Sequence, residues 1–242
     1  MIFCIPSFRR ADKLKTVPYL QRCGIPASRI ILSLQDEGDY EAYQRYAKDC
    51  TIIVNEASNV AQNRNNALSY VRSNFPGEKI VMLDDDVAWL RVMLKEGDRR
   101  TAEMRNLSGA DILNFLEFFF AKAAENECQI WGGYPIDNPF FMRKKAQRNV
   151  LLIGSIMGFL DDSLYFDERF ALKEDYELCL RIIRNGGGVL RFNYLAIAAE
   201  HYSVGGCYDH WANGERRVYS QLLQDMYPGL VTIKKDGEIK MR

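Results

Sequence analysis

The chain has no Cys-x-x-Cys pair, although six cysteines occur among its 242 residues. Cys4, Cys23, Cys50, Cys128, Cys179 and Cys207 are scattered. That argues against a zinc cluster and for small buried hydrophobes in a reduced, cytoplasmic protein. An excess of one charge is also missing: 32 Lys and Arg face 32 Asp and Glu, so any nucleic-acid surface has to be local. No basic stretch precedes the short apolar start at 1–6, which does not read as a secretory signal. Apolar runs long enough to span a bilayer are absent. The longest, 112–124, is broken by Asn114, Glu117 and Lys122. Repeats and low-complexity linkers are missing, and histidine is scarce, with only His201 and His210. What is present, 48% hydrophobic and 26% charged residues, is the balance of a globular protein of one domain.

Short β-branched runs at 2–5, 29–34, 51–54 and 79–83 suit buried parallel strands. Between them, 39–48 and 59–74 carry helical spacing, with Ser58 or Asn59 as the cap of the second. Repeated β-α-β units predict a doubly wound sheet, with ligands bound beyond the carboxyl ends of its strands. Farther on, helices are expected over 111–127 and 174–184, and strands over 129–132, 149–156 and 188–199, as later parts of one mixed sheet. The Arg-rich stretch 92–109 reads as a flexible loop and a candidate lid. The tail ends in a hairpin around Lys235-Asp236-Gly237.

The strand-like run Ile80-Val81-Met82-Leu83 enters Asp84-Asp85-Asp86. In an extended chain Asp84 and Asp86 share a face and Asp85 points away. Adjacent carboxylates repel unless a positive group sits among them, and a hard divalent cation is the evident candidate. A second acidic group, Glu174-Asp175, opens a helix, where the dipole and the unpaired N–H groups favour negative charge. Such a carboxylate can accept the proton of an attacking hydroxyl. Arg64, taken alone, reads as a solvated helix position.

In this order the motifs resemble the GT-A glycosyltransferases. That resemblance implies a Rossmann-like α/β fold in one domain, with a mixed, mainly parallel sheet and helices on both faces. It divides residues 1–242 into a nucleotide-binding half (1–90), an acceptor half (91–210) and a tail (211–242). Asp84-Asp85-Asp86 matches the family's Asp-x-Asp motif. It implies Mn²⁺ or Mg²⁺ held by Asp84 and Asp86 against the diphosphate of a nucleotide sugar, with a UDP-sugar as the expected donor. His201 resembles a late metal ligand, and mixed carboxylate and imidazole ligation suits Mn²⁺. Pro6, Ser7 and Arg9 resemble the loop after the first strand, and Ala61–Ala67 the Ala-Arg-Asn helix. With Asp84 and Asp85, the implied donor-binding set is Pro6, Ser7, Arg9 and Arg64. Glu174-Asp175 resembles the Glu-Asp motif, with Asp175 as base and Glu174 as the alternative, for an inverting reaction.

Glu174–Arg184, then His201-Tyr202-Ser203-Val204-Gly205-Gly206-Cys207, together with the opening Ile5–Arg10 and Gly24-Ile25-Pro26, are similar to the TET-associated glycosyltransferases. This group is typified by bacteriophage enzymes, and it implies 5-hydroxymethylpyrimidine in DNA as acceptor and the host cytoplasm as location. Arg143, Lys144, Lys145 and Arg148, beside Phe140-Phe141, form a basic cluster for phosphates, with an aromatic for a displaced base. Arg91, Lys95, Arg99, Arg100 and Arg105 form a second cluster that reads first as solvated surface. A sugar or polysaccharide acceptor, a nucleotidyltransferase and a non-catalytic module are the alternatives. The nucleotidyltransferase ranks lower because the loop after the first strand has no glycine. The module ranks lower because a dead site has no reason to hold such charge together. The sugar, the stereochemistry, the modified base, duplex against single-stranded DNA and the oligomeric state stay open.

Overall fold

A computed structural model describes residues 1–47, 49–199 and 213–242. A central sheet runs in the order β3-β2-β1-β4-β9-β7-β10-β5-β6, with β8 added on β10. The strands are β1 (Ile2–Ser7), β2 (Ile30–Leu34), β3 (Thr51–Val54), β4 (Ile80–Leu83), β5 (Val87–Lys95), β6 (Glu103–Asn106), β7 (Ile130–Tyr134), β8 (Ala146–Arg148), β9 (Ile156–Phe159) and β10 (Val189–Ala199). β1 to β4, β6, β7 and β10 run one way, and β5, β8 and β9 run the other. The sheet is therefore mixed and mainly parallel. Chain order reverses between β1 and β4, where doubly wound sheets open a crevice.

Helices cover both faces because β1, β2 and β4 are buried on both sides. Phe3 and Ile5 of β1 face α1 (Thr16–Arg22), α2 (Tyr40–Tyr46) and α4 (Ala110–Glu125). Ile2 and Cys4 face α3 (Val60–Asn74) and α5 (Glu174–Arg184). In α4, Ile112, Leu116, Phe119, Phe120 and Ala123 recur at helical spacing and are buried. Phe119 lies 4.4 Å from Phe192 and 5.4 Å from Trp131, ring centre to ring centre. Each such side chain contributes about 1.5–3 kcal/mol through burial. In α3, the Asn59 side chain accepts from the Gln62 N–H, and the Ser58 N–H donates to Gln62 Oε1.

Two expectations need correction. The stretch 92–109 is not a loop: β5 and β6 pair antiparallel, Arg91 pairs with Asp137, and Arg105 pairs with Asp111. Val92 and Met93, adjacent on β5, bury into different clusters and Leu107 is buried as well, so the polar letters between them mark the exposed end of a hairpin. The strand placed at 149–156 begins at Ile156 instead. Gly154-Ser155 stays irregular because its backbone serves the carboxylates described below. Beyond 212, α6 (Arg216–Met226) and the hairpin β11 (Val231–Ile233) and β12 (Ile239–Met241) pack on α5 through Phe170, Leu180, Leu223, Tyr227 and Ile239. No helix among the described residues is long and apolar enough to cross a membrane.

Candidate active site

The acidic triplet occupies the turn between β4 and β5 at the carboxyl edge of the sheet. That turn is held from outside. The N–H groups of Lys15 and Thr16 donate to Asp85 O at 2.9 and 3.1 Å, and Val87 N–H donates to Thr16 Oγ1 at 2.9 Å. A turn does not alternate its side chains as a strand does, so the expected pairing of Asp84 with Asp86 gives way. Asp85 and Asp86 share Arg10, at 3.0 and 2.9 Å, while Asp84 meets Arg64 at 2.8 Å. Asp85 does not point away. It is 4% exposed and also accepts from Ser7 Oγ at the end of β1. Ser7 Oγ in turn lies 2.5 Å from Tyr43 OH of α2, which accepts the Arg10 N–H at 3.0 Å. Burial pushes the Asp85 carboxyl up to about 7, against the opposing pull of Arg10 and Ser7.

Of the neighbouring arginines, the structure brings Arg10 to the triplet. Arg9 is exposed, with φ of 52°, its N–H on Asp39 and its guanidinium over the Phe8 ring. Pro6 lies buried within β1. The identity of the contacting arginine was hidden because the turn after β1 reverses the alternation of the strand.

Arg64 is not solvated. It is 4% exposed, and its guanidinium reaches Asp84 at 2.8 Å, Glu174 at 3.4 Å and the Gly154 carbonyl at 3.2 Å. Its neighbours in α3 are buried polar residues as well. Asn63 donates to the carbonyls of Ser7 and Ser33, and Asn65 exchanges hydrogen bonds with the backbone of Phe166. A helix face this polar is stable inside only because each group finds a partner.

Glu174 and Asp175 begin α5. Glu174 is 5% exposed against Arg64. Burial, then the neighbouring Asp175, pushes its carboxyl upward. Asp175 is partly exposed, with Oδ2 accepting from Gly154 N–H and Oδ1 from Tyr176 N–H, both at 2.7 Å. Burial raises this carboxyl as well, while Arg64 and the two N–H groups pull it down. One guanidinium thus spans the triplet and the acidic helix start, from opposite halves of the chain.

Gly154 completes this junction. A Cβ there would lie 2.5 Å from both Nη atoms of Arg64 and 2.8 Å from its Cζ. The guanidinium is held on three sides and cannot withdraw. Gly154→Ala is therefore expected to cost about 1–3 kcal/mol of stability through overpacking and to lower the activity of the site at least tenfold. Thermal unfolding beside an activity assay checks both. A fully active, equally stable variant would show that the junction yields.

Among the described residues, no three His, Cys, Asp or Glu side chains converge as a metal site. Asp84 keeps a third of its side chain exposed beside Arg64, and Asp86 lies across the same turn. With Asp84 on Arg64 and Asp86 on Arg10, arginines balance the triplet, and a hard cation there would exchange one of these ion pairs for carboxylate, phosphate and water oxygens. His201 and the segment through Cys207 lie outside the described residues. The basic cluster is separate from the acidic one. Arg143, Lys144, Lys145 and Arg148 are exposed on the loop after β7 and on β8, with Phe140 and Phe141 61% and 50% exposed.

The sheet order and the carboxylates at its carboxyl edge are those of the GT-A plan. Among solved structures, the fold is shared with S. aureus TarS. Its 1–349 fragment superposes with a TM-score of 0.52 at 12% identity, covering 93% of this chain and 66% of that one. The complex of that fragment with UDP-GlcNAc gives 0.52 at 14%, covering 93% and 67%. Against the longer TarS structure the chain spans 40% of the length, at 13% identity and a TM-score of 0.52. At these identities the likeness concerns the fold. No curated protein matches the chain. The family model of the TET-Associated Glycosyltransferases matches residues 1–206, and the chain belongs to that family.

Proposed function

We propose that this glycosyltransferase moves a sugar from a UDP-linked donor to the hydroxyl of a 5-hydroxymethylpyrimidine in DNA, with inversion at the sugar carbon. The observation that carries the reading is the junction at Arg64, which sets Asp84 on one side and Glu174-Asp175 on the other. Donor diphosphate belongs at the triplet, and Ser7, Arg10 and Arg64 supply its polar wall. Asp84 and Asp86 would hold Mn²⁺ or Mg²⁺, whose charge, when bound, stabilises the leaving diphosphate. His201 is the proposed further ligand.

Asp175 is the proposed base. Unlike Glu174, it is partly exposed and is not sealed in an ion pair. It takes the proton of the acceptor hydroxyl as that oxygen bonds to the sugar carbon. The bond from that carbon to the diphosphate breaks, its electron pair stays on phosphate oxygen, and UDP leaves. Arg64 keeps the base near the donor without neutralising it, because its charge is shared with Asp84 and Glu174.

For the acceptor, the loop after β7 leaves the sheet beside β9, whose approach carries Gly154-Ser155. Met142 anchors it, fully buried beside Met93 and Ala196, and Arg143 N–H donates to Asn193 O. Phe140 and Phe141 project from that anchor, 5.1 Å apart and edge to face. Exposed aromatics beside Arg143, Lys144, Lys145 and Arg148 suit stacking on a displaced base and contact with phosphates. TarS is solved with UDP and UDP-GlcNAc, which supports the choice of donor.

The deciding assay incubates the protein, Mn²⁺ and a panel of UDP-sugars with DNA carrying 5-hydroxymethylcytosine or 5-hydroxymethyluracil, then weighs the nucleosides. A sugar mass gain, lost with chelator, is expected. UDP release without that gain would move the acceptor away from DNA. Replacing Arg143, Lys144 and Lys145 by Gln should flatten the salt dependence of DNA binding by about 0.9 logarithmic units per lost phosphate contact. An unchanged slope would place the DNA elsewhere.

A further inference from the structure

The family match ends at residue 206, yet the chain beyond it touches the first turn of α5. Lys173, the residue before Glu174, has φ of 64° and ψ of 23°. This left-handed conformation is strained for any residue with a Cβ and is usually given to glycine. Lysine here needs another reason. Its Nζ lies 3.1 and 3.0 Å from the two carboxylate oxygens of Glu238, between the turn at Gly237 and β12, and its side chain is 8% exposed. Glu238 is itself fixed. Arg216 at the start of α6 pairs with it, its N–H donates to Asp236, and its carbonyl accepts from Lys234 N–H at 2.6 Å. On the other side of the same turn of α5, Tyr227 OH donates to Glu177 Oε1 at 2.6 Å. Glu174 and Asp175 therefore sit between two points gripped by the C-terminal segment.

We infer that Lys173 and Glu238 are positioning residues: a clamp by which the C-terminal hairpin sets the angle at which α5 presents Asp175. The inference rests on the reading of Asp175 as base. The backbone at Lys173 decides where the next two side chains go. Relaxing it would turn Asp175 away from Gly154 N–H and Glu174 away from Arg64. The triplet, Ser7 and Arg10 belong to other elements, and Arg64 keeps its pair with Asp84 when Glu174 turns away, so donor binding is largely preserved without the clamp.

The test is steady-state transfer from UDP-glucose or UDP-GlcNAc to a 5-hydroxymethylcytosine oligonucleotide, with UDP affinity and melting temperature measured alongside. Lys173→Met and Glu238→Gln are expected to lower kcat about tenfold to a hundredfold with UDP affinity within about twofold. Lys173→Arg keeps the ion pair and most of the rate. Lys173→Gly removes strain and clamp together. It should melt no lower than the Met variant and still be slow, which separates positioning from stability. Wild-type kcat in both Lys173→Met and Glu238→Gln would overturn the clamp. So would losses that run in step with UDP affinity and melting temperature. Asp175→Asn in the same assay tells the failures apart. If it is inactive while the clamp variants are active, the clamp alone falls. If it is active, the base assignment falls and the clamp with it.

Discussion

Arg64→Met is expected to leave a protein about 3–5 kcal/mol less stable and without transfer activity. The reasoning is electrostatic. Arg64 is buried, and so is Glu174, which faces it. Removing one partner of a buried pair strands the other without its counter-charge. Here Asp84 loses its partner as well, and the Gly154 carbonyl loses a donor. Two groups of carboxylates then face each other across an apolar gap, and either they take up protons or the helices part. Arg64→Lys will not rescue the site. A lysine offers one compact charge, whereas the planar guanidinium reaches Asp84, Glu174 and Gly154 together. Urea unfolding and a UDP titration measure the two consequences. A Met variant with normal unfolding and normal rate would remove Arg64 from the centre of the site.

Asp175→Asn should lower kcat by about 10²–10⁴-fold, the usual contribution of a general base, while UDP affinity is kept. There is a structural cost too. Both carboxylate oxygens accept backbone N–H groups, from Gly154 and Tyr176. An amide must turn its NH₂ toward one of those donors and leave it unsatisfied, which costs about 1–3 kcal/mol. The rate must therefore be read on protein shown to be folded. Glu174→Gln is the companion variant. If it is the slower of the two and Asp175→Asn retains transfer, the base is Glu174, and the ion pair with Arg64 must open during the reaction.

Most of the nucleotide half could be read from the sequence because each run there has one dominant cause. β3 falls at the expected residues, and β1, β2 and β4 lie within two residues of theirs, since buried parallel strands need continuous β-branched letters. The second half was harder. β5 and β6 carry charged residues at the exposed end of their hairpin, so it looked like a polar loop. α6 was not anticipated, although its hairpin was, because Gly237 after Lys235-Asp236 marks a turn by itself. Gly154 left no local signal, since its importance lies in the guanidinium that approaches it from α3.

The residue types of the site were written in the sequence: three carboxylates after a buried strand, two at a helix start, and an arginine in a polar helix. Those local patterns determined which elements form and which end of the sheet carries charge. Tertiary structure alone decided the pairing. It gave Arg10 rather than Arg9 to Asp85 and Asp86, and buried Arg64 between Asp84 and Glu174. It also brought Glu238 from the C-terminal hairpin to Lys173. The reason is physical. A helix or strand forms from the period and propensity of its own residues. The partner of a buried charge is chosen by whichever opposite charge the packing of distant elements brings within reach, because no buried charge is stable without one.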